Sequence, residues 1–313
     1  INDKTRIGIM TLHPQSKAFI ELGRHGPSWN ETSVSESRER FRGLKNLFGD
    51  GPELPSVSDV RIDDRIPVRV YRVDDQISKP GMMYFHGGGW VLGDLDTHDT
   101  LCRRLALASD CTVIAVDYRR APENTHPAAL NDCYDATLHV AENAEDFGVL
   151  ADKIVVAGDS AGGHLAAALC IRARDEHRPK IGLQLLIYPI VDHSLETHSY
   201  HEFAEGFGLS RELMGWFWKQ YVPGSLPQDD PQLTPARALN LANLPPAHIV
   251  TAEYDVLRDE GEAYAARLAK SGVPTTRQRY DGMLHGFVHS SNFFDDGLKA
   301  INDIGETVRR HFS

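Results

Sequence analysis

Apolar and polar positions along this chain follow two alternating rhythms. Short, nearly continuous apolar runs (Met82 to Phe85, Thr112 to Val116, Ile154 to Ala157, Leu183 to Ile187 and Ala247 to Val250) have the length and composition of strands buried on both faces. Helix-length stretches separate most of them: Thr97 to Ala108, Ala128 to Asn143 and the alanine-rich Gly163 to Arg174. Ahead of these lies a hairpin between about Ser58 and Tyr71, where Val60-Arg61-Ile62 and Val68-Arg69-Val70-Tyr71 alternate with period two. Toward the end, Asp259 and Glu262 stand at capping-box spacing over a helix closing at Gly272. Thr275 to Tyr280 reads as a further strand, and Leu298, Ile301, Ile304 and Val308 stripe a last helix. Alternating β and α segments imply an α/β fold, a mostly parallel sheet with helices on both faces.

Two segments stand outside this alternation. One runs from Ile1 to Leu54, where Phe41, Leu44 and Phe48 mark an amphipathic helix before a Gly/Pro-rich link at Gly49 to Pro55. The other, from about residue 189 to 245, is far longer than a crossover needs. Within it Met214, Phe217, Trp218 and Tyr221 follow i, i+3, i+4, i+7 spacing. Such a stripe is either a face packed on the core or the lining of a lid over a hydrophobic pocket.

Composition narrows the function classes. A 313-residue chain with 41% hydrophobic and 25% charged residues is a globular protein with material for a large core. Its formal charge of −11 and its lack of clustered Lys and Arg argue against nucleic acid as a partner. No apolar run is long enough to span a bilayer, and Ile1 to Met10 is too polar for a signal sequence. Cys102, Cys111, Cys133 and Cys170 have no CxxC spacing and read as reduced core thiols, which points to a cytoplasmic location.

The chemistry concentrates in a few motifs. Gly158-Asp159-Ser160-Ala161-Gly162 fits GxSxG between an apolar strand and a helix, a turn that projects Ser160 from the C-terminal edge of the sheet. His86-Gly87-Gly88-Gly89 follows another strand and exposes backbone N–H groups, so Gly87, Gly88 and Ala161 are the expected oxyanion donors. A serine hydroxyl needs a base, and the base a carboxylate to fix its tautomer. His285, in a loop after the Thr275 to Tyr280 strand, and Asp255, after the Ala247 to Val250 strand, complete the order Ser160, Asp255, His285. Asp259 competes as the acid, although its place at a helix start also explains it. Asp159 reads as a structural hydrogen-bonding group or a modulator of His285. His193, His198 and His201 crowd one region without the carboxylate or cysteine pattern of a metal site, so neither metal nor organic cofactor is expected.

These motifs resemble those of the hormone-sensitive-lipase-like (family IV) esterases: HGGGW at His86 to Trp90, DYRRAPE at Asp117 to Glu123, GDSAGG at Gly158 to Gly163, DVLRDEG at Asp255 to Gly261 and HGF at His285 to Phe287. The match runs in order through roughly residues 55 to 313. The resemblance implies an α/β-hydrolase fold with an eight-stranded sheet and a helical cap. It implies a carboxylesterase acting on short- to medium-chain acyl esters through an acyl-enzyme, a structural His86, and possible pairing as a homodimer. On this reading, residues 1–54 and 189–245 form the cap, and residues 55–188 and 246–313 form the catalytic domain. Val256 replaces the proline usual after the acid, and Arg120 a common leucine. Two alternatives share the fold: an amide or formamide hydrolase with the same triad, and a ligand-binding member without catalysis.

Overall fold

The hydrophobic alternation resolves into one eight-stranded sheet in the computed structural model, which describes residues 11–23, 26–45, 49–74, 78–227 and 230–313. Helices α1 (Pro14–Gly23) and α2 (Val34–Gly43) come first, followed by the hairpin strands β1 (Ser56–Ile62) and β2 (Ile66–Arg72). Then β3 (Lys79–Phe85), α3 (Asp99–Ser109), β4 (Thr112–Val116), α4 (Ala128–Glu142), β5 (Val149–Asp159), α5 (Ala161–Glu176) and β6 (Leu183–Ile187) alternate. The long insertion contributes α6 (His198–Glu202), α7 (Arg211–Tyr221) and a 3₁₀ turn at Pro235–Arg237. The alternation resumes with β7 (Ala247–Tyr254), α8 (Arg258–Lys270), β8 (Thr275–Leu284) and α9 (Asp295–Phe312).

The strands lie in the order β1-β2-β4-β3-β5-β6-β7-β8, with β2 antiparallel to both neighbours and β4 through β8 parallel. Register decides which loops meet. Phe85 pairs with Gly158 and Asp159 with Ile187, so the chain leaves β3, β5 and β6 at one level of the sheet edge. Tyr254 pairs with Leu284, so Asp255 and His285 each emerge one residue past a registered pair. The inner strands are buried on both faces, as their continuous apolar runs require.

Several boundaries differ from the sequence pattern for local reasons. The helix expected from Thr97 starts at Asp99, because Thr97 closes a turn with Asp94: its N–H donates to Asp94 Oδ1 and its hydroxyl to Asp94 O. Helix α5 begins at Ala161, immediately after Ser160. The Asp259 capping box does not form. Helix α8 starts at Arg258 with Leu257 at its N-cap, while Asp259 accepts from Ser199 N and Glu262 binds Arg277 and Arg279. A capping box does form at α2, where Ser33 and Glu36 satisfy each other's backbone N–H groups. Phe41 lies on α2, Leu44 just past its end, and Phe48 outside the described residues.

Helix α7 buries Met214, Phe217, Trp218 and Tyr221. Tyr221 stacks on Trp90 at 4.3 Å and Trp218 lies 4.6 Å from it, so the stripe packs onto the glycine loop that follows β3. All four cysteines are buried and free, and burial pushes each thiol's pKa up. No helix among the described residues is long and apolar enough to cross a membrane.

On α9 the expected stripe divides. Ile301, Ile304 and Val308 are buried, whereas Leu298 is 40% exposed. Ile304→Ala is therefore expected to cost about 2–5 kcal/mol in urea denaturation, and Leu298→Ala about 0.5 kcal/mol or less. Equal losses at the two positions would mean that α9 is packed differently.

Candidate active site

Ser160 sits between the last residue of β5 and the first of α5 with φ 55° and ψ −116°, a conformation a β-strand and a helix force on the residue linking them this sharply. Backbone contacts hold it there. Ser160 N–H donates to Ile187 O at 2.9 Å, and Ser160 O accepts from His164 N and Ile190 N. The glycine two residues on is required by close approach: a Cβ at Gly162 would lie 1.8 Å from Phe85 O. That contact also brings the end of β3 against the serine turn.

His285 follows β8 directly. Its Nε2 lies 3.0 Å from Ser160 Oγ, and its Nδ1 lies 2.7 Å from Asp255 Oδ2. Asp255 is buried, and its second oxygen accepts from Leu257 N at 2.9 Å. With the carboxylate accepting from Nδ1–H, the Nε2 lone pair faces the serine hydroxyl. Asp259, the competing acid, is engaged elsewhere by Ser199 N and Arg258, so Asp255 is the carboxylate at His285. The Tyr188 ring packs against His285 at 4.6 Å.

The glycine loop departs from expectation at one donor. Gly87 N–H donates to Asp159 Oδ1 at 2.9 Å, so it is not directed at a substrate oxygen. The N–H groups of Gly88, Gly89 and Ala161 have no hydrogen-bond partner among the described residues. The N–H groups of Gly88 and Ala161 thus stay available for the role expected of them, and that of Gly89 is available where that of Gly87 is not. The sequence offered no means of choosing among three identical glycines; only the position of the Asp159 carboxylate does so. His86 is buried, stacks on Tyr118 at 4.1 Å and donates from Nδ1 to Gly87 O, while burial, with the nearby His98, lowers its pKa to about 3. It is a neutral support of the loop.

The remaining residues of interest lie apart. His198 pairs with Glu202 and His201 with Glu196, and no cluster of three metal-ligating side chains occurs among the described residues. Arg120 donates to Gly93 O, beneath the glycine loop. Val256, at the position of the family's proline, is buried, and its carbonyl accepts from Ser199 Oγ at 2.7 Å, which anchors the Asp255 loop by another means.

Comparison with known proteins agrees with this arrangement. Residues 82–289 match the family model described as alpha/beta hydrolase fold. The chain belongs to the α/β-hydrolase family. Among curated relatives, an arylesterase of Saccharolobus solfataricus is 40% identical over 287 residues, covering 90% of this chain and 94% of that protein. An ethyl acetate hydrolase of Pseudomonas putida is 33% identical over 319 residues, covering 96% of this chain and all of that one. Among solved structures, an ester hydrolase from the metagenome of Lake Arreo, in complex with a bipyridine phosphonate derivative, superposes with a TM-score of 0.93. It is 39% identical, with 96% of this chain and 99% of that one covered. A hyperthermophilic esterase from Pyrobaculum calidifontis gives 0.90 at 41% identity, covering 96% and 99%. The resemblance of the motifs to hormone-sensitive-lipase-like esterases is thereby borne out.

The His285–Asp255 contact of this α/β-hydrolase has its own signature. A strongly downfield, exchange-protected Nδ1–H resonance is expected in the proton NMR spectrum. It should vanish in Asp255→Asn and persist in Asp259→Asn; the reverse pattern would assign the acid to Asp259.

Proposed function

We propose that this α/β-hydrolase is a serine carboxylesterase acting on short- to medium-chain acyl esters. The observation that carries the reading is the continuous relay from Ser160 Oγ through His285 to the buried Asp255, beside three backbone N–H groups without partners among the described residues. Ser160 attacks the ester carbonyl as His285 Nε2 takes its proton, and the oxyanion is received by the N–H groups of Gly88, Gly89 and Ala161. His285 then protonates the departing alcohol. Water activated by the same imidazole releases the acid from the acyl-enzyme. The arylesterase and the ethyl acetate hydrolase among its relatives, both ester hydrolases by name, support the bond type.

In this reading residues 55–188 and 246–313 form the catalytic domain, with residues 1–54 and 189–245 as a cap. Two contacts support the cap: α7 packs on Trp90 beside the donor loop, and Arg38 of α2 donates to Val91 O and Ala121 O while pairing with Glu123. Such a cover encloses a compact acyl group more readily than a long chain at an oil surface.

Incubation with an organophosphonate should label Ser160, as read by mass spectrometry, and abolish nitrophenyl butyrate hydrolysis. Ser160→Ala and His285→Ala should each lose at least about 10⁴-fold in kcat with unchanged circular dichroism, whereas Asp259→Asn should lose far less than Asp255→Asn. Labelling without turnover of any simple ester would move the activity to amides, and absence of labelling would leave a ligand-binding protein.

The sign of the pH dependence follows from the base. His285 accepts the serine proton only when neutral, so kcat/KM should fall as acidification protonates it and hold at mildly alkaline pH. A profile that does not fall on acidification would remove His285 from that role. Faster hydrolysis of nitrophenyl palmitate than of the butyrate would overturn the chain-length reading.

A further inference from the structure

Beneath the donor loop lies a buried polar cluster that the relay itself does not use. Asp159 is only 4% exposed, yet it has neither Lys nor Arg among its described ion-pair partners. Its Oδ1 accepts from Gly87 N at 2.9 Å and from the Tyr84 hydroxyl at 2.7 Å, and it faces His98 Nε2 at 3.4 Å. Gly87 is shaped to this carboxylate, since a Cβ there would lie 2.3 Å from Asp159 Oδ2. His98, 2% exposed, lies eleven residues along the chain from Gly87 and meets its N–H.

The hydrogen bonds around His98 fix its orientation. Thr97 Oγ1 gives its one hydrogen to Asp94 O, so it can only accept from His98 Nδ1, 3.0 Å away. Nδ1 therefore carries a proton and Nε2 is the atom turned to the cluster. His289 stacks flat on the ring at 4.1 Å and 7°, with its Nε2 donating to Thr97 O at 2.8 Å. Burial, with His98 beside it, lowers the His289 pKa to about 3, which leaves that ring a neutral platform. The turn carrying Thr97 is in turn pinned to α2 by the Arg42–Asp94 ion pair.

Gly87 N–H points between Asp159 Oδ1 and His98 Nε2, the latter at 3.3 Å. If neutral, the ring is a second acceptor for that N–H; if protonated, it donates toward Asp159. Both states hold Gly87 in one place, and the donors of Gly88 and Gly89 follow it in the chain. Burial opposes the Asp159 charge, but the neighbouring His98 and the hydrogen bonds outweigh it, and its pKa lies below the ordinary carboxylate range.

We propose that Asp159 and His98 form a positioning pair that holds Gly87 and thereby aims the Gly88 and Gly89 N–H groups at the oxyanion. The pair touches no reacting atom; it acts through the loop. This inference rests on the esterase reading above. An oxyanion donor stabilises charge that develops only in the transition state, so a misaimed loop lowers kcat and leaves substrate affinity nearly unchanged.

The experiment compares wild type, Asp159→Asn, His98→Phe and the double variant on nitrophenyl butyrate, together with the Ki of a trifluoromethyl ketone, which mimics the tetrahedral adduct. Each single variant should lose about 10- to 100-fold in kcat with KM within about twofold, and ketone affinity should fall by the same factor. The double variant should be no worse than the poorer single, because both changes release one loop. Unchanged kcat and Ki with a lowered Tm would reduce the pair to a structural one and overturn the proposal, as would additive losses or a fall in kcat without a change in Ki. If a variant does not fold by circular dichroism, His98→Gln decides: its amide presents both a donor and an acceptor, and it should recover most of the ketone affinity, whereas wild-type affinity lost entirely in a folded His98→Gln refutes the hydrogen-bond account. A wild type that neither turns over the ester nor takes up phosphonate defeats the esterase reading itself. Wild-type activity with insensitive variants defeats only this inference.

Discussion

The positive φ of Ser160 is the constraint on which the rest of the site depends. A non-glycine residue in that region costs about 1–3 kcal/mol and persists only when its surroundings over-determine it. Here strand β5 is paired on both sides and helix α5 is buried along most of its length, so neither end of the turn can relax. The strain is small beside the burial that imposes it, and it places the hydroxyl beyond the sheet edge. Everything else at the site is arranged relative to that atom.

Sheet register converts one fixed turn into a converging site. Parallel strands present their C-terminal ends on the same side, and pairing Tyr254 with Leu284 sets Asp255 beside His285 without any contact between their loops being needed first. The same logic sets the glycine loop after β3 beside the serine turn. Burial then finishes the geometry: Asp255 has one oxygen spent on Leu257 N, so its other oxygen has a single direction to offer.

Legibility from sequence followed the range of the interactions. Ser160, His285 and the succession of strands along the chain were readable because each rests on local pattern, an apolar run ending in a turn. Asp255 was the acid read from the sequence, but Asp259 stayed in competition, since both are carboxylates near a helix start. Ser199, sixty residues away along the chain, settles the matter by drawing Asp259 to its own N–H. Gly87 failed as a donor for a related reason: its N–H is claimed by the side chain of Asp159, seventy-two residues on. The Asp259 capping box failed because Glu262 found arginines on β8 that outbid a backbone N–H.

By itself, then, the sequence determined the alternation of strands and helices, the candidates for nucleophile and base, and the order in which they arrive. Those features are written in periodicity and in glycines at fixed offsets, which depend on neighbours a few residues away. Only the tertiary structure decided the competition between Asp255 and Asp259, which glycines keep their N–H groups unclaimed among the described residues, and that the aromatic stripe of α7 is spent on Trp90. Each of those outcomes is a competition among buried hydrogen-bonding or apolar groups far apart in the chain, and the winner is set by distance and direction in the folded molecule.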